Sequence, residues 1–116
     1  MRRTRGERFN PYRTFVGAMT PNWLMRMPGL SPGAKLCYAR MAQFAGNDGN
    51  VFATEETLAK ELGVSERQAA RYIAELKRAG LIAVAHRRFG GSNHYSFHWP
   101  EGINESDLLA IVGCKQ

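Results

Sequence analysis

The chain has 116 residues, room for one compact domain with tails, and its 44% hydrophobic content is ordinary globular usage that argues against wholesale disorder. No apolar run approaches the roughly 20 residues needed to cross a bilayer, and Phe9–Met19, broken by Asn10, Pro11, Arg13 and Gly17, is no signal-peptide core. The formal charge is +6, yet Met1–Arg26 hold six arginines against the single Glu7, so the body beyond them is nearly neutral.

Three segments follow from this. Residues 1–19 read as a basic arm, in which Arg2, Arg3, Arg5 and Arg8 can displace counterions from a phosphate backbone whatever the sequence beneath. Residues 20–100 carry the folding signals, and residues 101–116 form a tail in which Leu108–Val112 is a candidate short helix. Cys37 and Cys114 are too few for a disulfide framework and fit free thiols in a cytoplasmic protein.

Within the body, Pro21–Leu24 and Met27–Leu30 make a turn-rich lead-in with Trp23, Leu24 and Leu30 as packing groups. Ser31-Pro32 opens a helix, the serine capping and the proline taking the first helical position. It runs to about Ala45, with Leu36, Cys37, Met41 and Phe44 as its expected apolar stripe. Gly46–Asn50 ends it with turn chemistry, and Val51–Ala53 is a short strand that needs a later partner.

Thr54 caps a second helix whose buried side is Leu58, Ala59 and Leu62. Gly63 permits a positive φ in the turn, Val64 plugs the corner, and Ser65 with Gln68 fits a capping box at the start of a third helix. At about 100° per residue, Arg67, Arg71 and Arg78 share one face of that helix, opposite Ala69, Ile73 and Leu76. Ala70 and Ala74 are small residues on the outward side, which lets a surface approach closely. Leu81–Ala85 and Tyr95–Trp99 read as a returning hairpin with Tyr95, Phe97 and Trp99 inward, and Arg87 and Arg88 lie at the edge of its glycine turn. The pattern is mainly α with a small β-hairpin: a three-helix core plus a wing, the helix-turn-helix device that holds one helix in a DNA major groove.

Signals for other chemistry are weak. His86, His94 and His98 have no carboxylate or cysteine at a metal-site spacing. Glu55, Glu56 and Glu61 fit capping and solvation, and Gly90-Gly91 is a lone turn with no phosphate-loop pattern. No catalytic residue, metal or cofactor is expected.

From Thr20 to Phe97 the chain resembles the winged-helix N-terminal domains of plasmid and phage replication-initiation proteins and related helix-turn-helix regulators. The resemblance rests on Pro21-Asn22-Trp23-Leu24, Leu30-Ser31-Pro32-Gly33-Ala34-Lys35-Leu36 and Asp48-Gly49. It continues through Thr57-Leu58-Ala59, Leu62-Gly63-Val64-Ser65, Arg67-Gln68, Arg71-Tyr72-Ile73, Leu76 and Gly80-Leu81-Ile82. It implies a third helix that reads the major groove, and frequent dimerisation. The expected partner is double-stranded DNA, with a homodimer or a replication or regulatory protein completing the complex and no membrane involved. Arg67 and Arg71 suit bidentate guanine contacts and Gln68 an adenine, in competition with its capping role; Ser65, Lys77 and Arg78 suit phosphate, and Tyr72 does so only at its hydroxyl, since its ring is expected largely in the core. Arg87, Arg88 and Asn93 are the expected wing contacts. The role expected is plasmid or phage replication or its control, with transcriptional regulation of a mobile element and protein interaction without DNA readout as alternatives.

Overall fold

A computed structural model describes residues 5–8, 10–11, 17–85 and 93–99. Arg2, Arg3, His86, Arg87, Arg88, Gly90, Gly91, Cys114 and the tail helix at Leu108–Val112 therefore lie outside the described residues. The elements run α1 (Asn22–Met25), α2 (Pro32–Phe44), β1 (Asn50–Ala53), α3 (Glu55–Leu62), α4 (Glu66–Arg78), β2 (Ile82–Ala85) and β3 (Asn93–Phe97).

Each of the three longer helices begins at a hydroxyl cap. Ser31 accepts from the Ala34 amide at 3.2 Å, Thr54 from Thr57 at 3.0 Å and Ser65 from Gln68 at 3.1 Å. Each cap supplies a partner to an amide that the helix itself leaves unpaired. Pro32 follows its cap at the first helical position, where its missing N–H costs nothing.

The two helices of the turn end alike. At the end of α3, Gly63 has φ 70°, its amide bonds the Lys60 carbonyl, and the Val64 amide reaches back to Ala59 at 3.0 Å. At the end of α4, Gly80 has φ 79°, its amide bonds Lys77, and the Leu81 amide reaches Leu76 at 3.0 Å. This is the Schellman pattern, which glycine closes without a Cβ penalty. Leu76 and Leu81 are both fully buried, so the second closure also joins α4 to the strand that follows.

The strands form one antiparallel sheet in the order β1-β3-β2. The expected hairpin is thus extended by β1, which pairs Val51 with Tyr95, while Val84 of β2 faces Tyr95 from the other side. Tyr95 is fully buried at the sheet centre, and its hydroxyl accepts from the Asn93 side chain at 3.2 Å. One core joins Leu24, Cys37, Tyr38, Met41, Val51, Leu58, Ile73, Leu76, Leu81 and Ile82 around it. Trp23 stands edge-on to Tyr38 at 6.1 Å and Tyr38 edge-on to Phe97 at 5.3 Å, carrying α1 and β3 onto α2.

Two sequence expectations need correction. The inner face of α2 is Ala34, Cys37, Tyr38 and Met41, with Ala39 beside them, whereas Leu36 is 62% and Phe44 41% exposed. Positions 34, 37, 38 and 41 hold the i, i+3, i+4, i+7 spacing of one helix face; Leu36 falls off it, whereas Phe44 continues the stripe three residues past Met41 but stands at the last position of the helix, beyond the core. Phe44 is instead partly covered by the Arg40 guanidinium, 4.5 Å above its ring, and Arg40 pairs with Glu61 and Gln43. The second correction is at the sheet end. β3 closes at Phe97, and Trp99 is 58% exposed, resting against Trp23 with ring centroids 5.7 Å apart instead of packing inward.

Candidate nucleic-acid interface

α4 is the element on which the sequence places most candidate contacts, and its two faces are sharply divided. Ala69, Ile73 and Leu76 are buried against α2, α3 and the sheet. Ser65, Arg67, Arg71, Lys77 and Arg78 are exposed; Gln68 is half-buried beneath its capping bond. Ala74 is exposed and Ala70 half-buried, so the surface between the arginines is low. Glu66 stands in the first turn while Lys77 and Arg78 stand in the last, the arrangement that opposes the helix dipole.

Two residues of α4 fix its position on α2. The Tyr72 ring lies over Gly33 so closely that a Cβ there would come 2.1 Å from the ring carbon bearing the hydroxyl. One turn later the Glu75 carboxylate accepts from the Ser31 amide at 2.9 Å and from the Ser31 hydroxyl at 2.8 Å. The Tyr72 ring, expected largely in the core, is half-buried and packs on it. Glu75 had no role in the sequence reading. Its partner is 44 positions away, and the only local hint is that Ala34, three residues after the Ser31 cap, cannot supply the reciprocal carboxylate of a capping box.

The other candidates are spread around this helix. Asn93 begins β3 opposite Ala53, where its side chain donates to Tyr95. Arg5 and Arg8 of the arm are exposed. His94 bonds the Asn50 side chain at 2.8 Å and stacks on Phe52 at 4.9 Å; His98 meets the Ser96 hydroxyl at 2.9 Å. Among the described residues no three His, Cys, Asp or Glu side chains are grouped to hold a metal, and no helix is long and apolar enough to cross a membrane.

A family model described as "Helix-turn-helix domain" matches residues 29–82, from the turn before α2 to the start of β2. No curated protein matches the sequence. Among solved structures, "N-Terminal domain of DNA binding protein" is similar at TM-score 0.60 and 18% identity, covering 97% of both chains. "Structure of Rep-DNA complex" is similar at TM-score 0.61 and 18% identity, covering 95% of this chain and 96% of the other. "Structure of MDR initiator" is similar at TM-score 0.55 and 20% identity, covering 95% and 99%. At these identities the likeness is one of fold. Capped helices, glycine-closed turn and three-stranded sheet agree with it: the chain has a winged helix-turn-helix fold, similar to that of the structures described as an N-terminal domain of a DNA-binding protein and as an initiator.

Proposed function

We propose that this chain binds double-stranded DNA sequence-specifically, with α4 in the major groove, in plasmid or phage replication or its control. The observation that carries the reading is the exposed Arg67, Arg71, Lys77 and Arg78 on a helix whose opposite face is fixed in the core. Arg67 and Arg71 are the base readers, because a guanidinium matches the two major-groove acceptors of guanine. Ser65, Lys77 and Arg78 contact backbone, and Gln68, whose backbone amide makes the Ser65 cap bond, offers its side chain to a base edge. The wing, through Arg87, Arg88 and Asn93, and the arm, through Arg2, Arg3, Arg5 and Arg8, add backbone or minor-groove contacts. Support from relatives comes from a solved structure of similar fold that is described as a Rep–DNA complex.

One module of this size makes a small interface, so the proposal includes a homodimer or a partner replication or regulatory protein on paired half-sites. Selection of bound duplexes from a random pool tests the whole reading. A recovered consensus whose binding weakens steeply with salt supports it, paired half-sites indicate a dimer, and iterated copies favour an origin over a promoter. Recovery of no preferred duplex, or binding indifferent to salt, overturns it.

A further inference from the structure

We infer that Glu75 is a positioning residue for the recognition helix: by completing the cap of α2 from a different helix, it sets the angle at which α4 presents Arg67 and Arg71. The inference rests on the DNA-binding reading for its functional consequence, but its structural half stands alone.

The start of α2 is an incomplete capping box. In the complete motif the third helical residue is Glu or Gln and returns a side-chain bond to the cap's own amide. In α2 the cap is Ser31 and that third residue is Ala34, which is buried and has nothing to return. Glu75 takes the role from α4. One carboxylate oxygen accepts the Ser31 amide at 2.9 Å; the other accepts the Ser31 hydroxyl at 2.8 Å, whose oxygen meanwhile accepts from Ala34 at 3.2 Å. Two bonds from one carboxylate to one residue restrict rotation as well as distance, and charge-assisted bonds of this kind are among the stronger ones.

Tyr72 supplies a second point of fixation, three residues earlier on α4, where its ring fills the space left by the missing Cβ of Gly33. Ser31-Pro32-Gly33-Ala34 therefore acts as a seat for α4: a donor pair, a helix-starting proline, a gap for a ring and a small buried residue. Apolar packing of Ala69, Ile73 and Leu76 holds α4 against the core but is non-directional, so it tolerates rotation and sliding that the Glu75 bonds do not.

Position matters for the contact itself. Glu75 stands four residues after Arg71, the spacing of a helical ion pair, yet its carboxylate is taken by Ser31 and Arg71 remains exposed. Bidentate reading of a base requires the guanidinium in a set plane and at a set depth, whereas a phosphate contact accepts a wider range. Loss of the seat should therefore lower discrimination more than general affinity.

The test compares E75A, which removes both bonds, with E75Q, whose carbonyl oxygen accepts from the Ser31 amide while its NH2 group donates to the hydroxyl oxygen. Residual dipolar couplings on the full chain report the α2–α4 angle, and binding to the selected duplex and a scrambled one reports discrimination. The expected result is a changed angle in E75A with discrimination down about tenfold, an unchanged salt slope, and both properties retained in E75Q. An unchanged angle in E75A overturns the inference, as does a changed angle with full discrimination. Should no duplex be selected at all, the DNA reading fails, and the angle in E75A alone decides the structural half. Should E75A not fold, S31A, which removes the hydroxyl arm together with the Ala34 cap bond but keeps the Ser31 amide bond to Glu75, is read by the same two measurements.

Discussion

Gly33 and Tyr72 are complementary at the level of single atoms. An added methyl at Gly33 would come 2.1 Å from the tyrosine ring, which packs on the core and has only two rotatable bonds to yield with. Gly33→Ala is therefore expected to destabilise the fold by about 1–3 kcal/mol, the usual cost of overpacking, although alanine is the better helix former. Denaturant unfolding measures this, and a stabilised variant would show that the ring moves freely aside. Cys37 offers a second residue-scale prediction. Burial pushes its thiol from 9.0 up to about 12, because the thiolate is disfavoured away from water. The unfolded thiol therefore ionises first as pH rises. Stability from the buried neutral form is complete below about pH 9, falls by roughly 1 kcal/mol per pH unit above it, and is exhausted near pH 12. Tyr38 and Tyr95, also raised by burial, add losses of the same sign at the alkaline end. Urea midpoints between pH 8 and 11 should decline less steeply in Cys37→Ala; equal slopes would show that the thiol contributes nothing to the decline.

At the scale of elements, α4 shows what a sequence makes legible. Its cap, its closing glycine and its opposed faces are local signals, and the fold keeps all three. Leu76 lies at the centre of the inner face and is fully buried, so Leu76→Ala should cost about 2–5 kcal/mol in an equilibrium unfolding measurement. A loss below about 0.5 kcal/mol would contradict the facing of the helix. The face of α2 was less legible for a definite reason. Ranking by hydrophobicity favours Leu36 and Phe44, but the buried row contains Ala34, Tyr38 and Ala39, residues too small or too polar to stand out. Size matters there because α2 is crossed by both α3 and α4, and close crossing selects small side chains over large ones. The Ser31–Glu75 link was illegible in principle. It joins residues with no periodic relation, and only the packing of α4 on α2 brings them together. Similarly, β1 announced itself as a strand in need of a partner, but the pairing with β3 depends on the sheet being assembled.

Over the whole molecule, the proposed function divides sequence discrimination and general attraction between different parts. The body is nearly neutral and holds α4 in a defined seat, while the arm carries most of the surplus positive charge. Residues 1–19 hold five arginines and one glutamate, so removing them lowers the formal net charge from +6 to +2. Each arginine that neutralises a phosphate contributes about 0.9 to the slope of log affinity against log salt. Deletion of residues 1–19 is therefore expected to flatten that slope by up to four or so, and to weaken selected and scrambled duplexes by the same factor at low salt. Arg71→Ala should do the converse, costing about 1–3 kcal/mol on the selected duplex, with little change on scrambled DNA and little change in stability. The two variants together separate the contributions in one titration series against salt. If the arm deletion changes discrimination while leaving the slope intact, the arm reads bases in the minor groove and the division between arm and helix is wrong. If Arg71→Ala weakens all duplexes equally, Arg71 is a phosphate contact, and base reading must be sought in Arg67 and Gln68, at the start of the same helix.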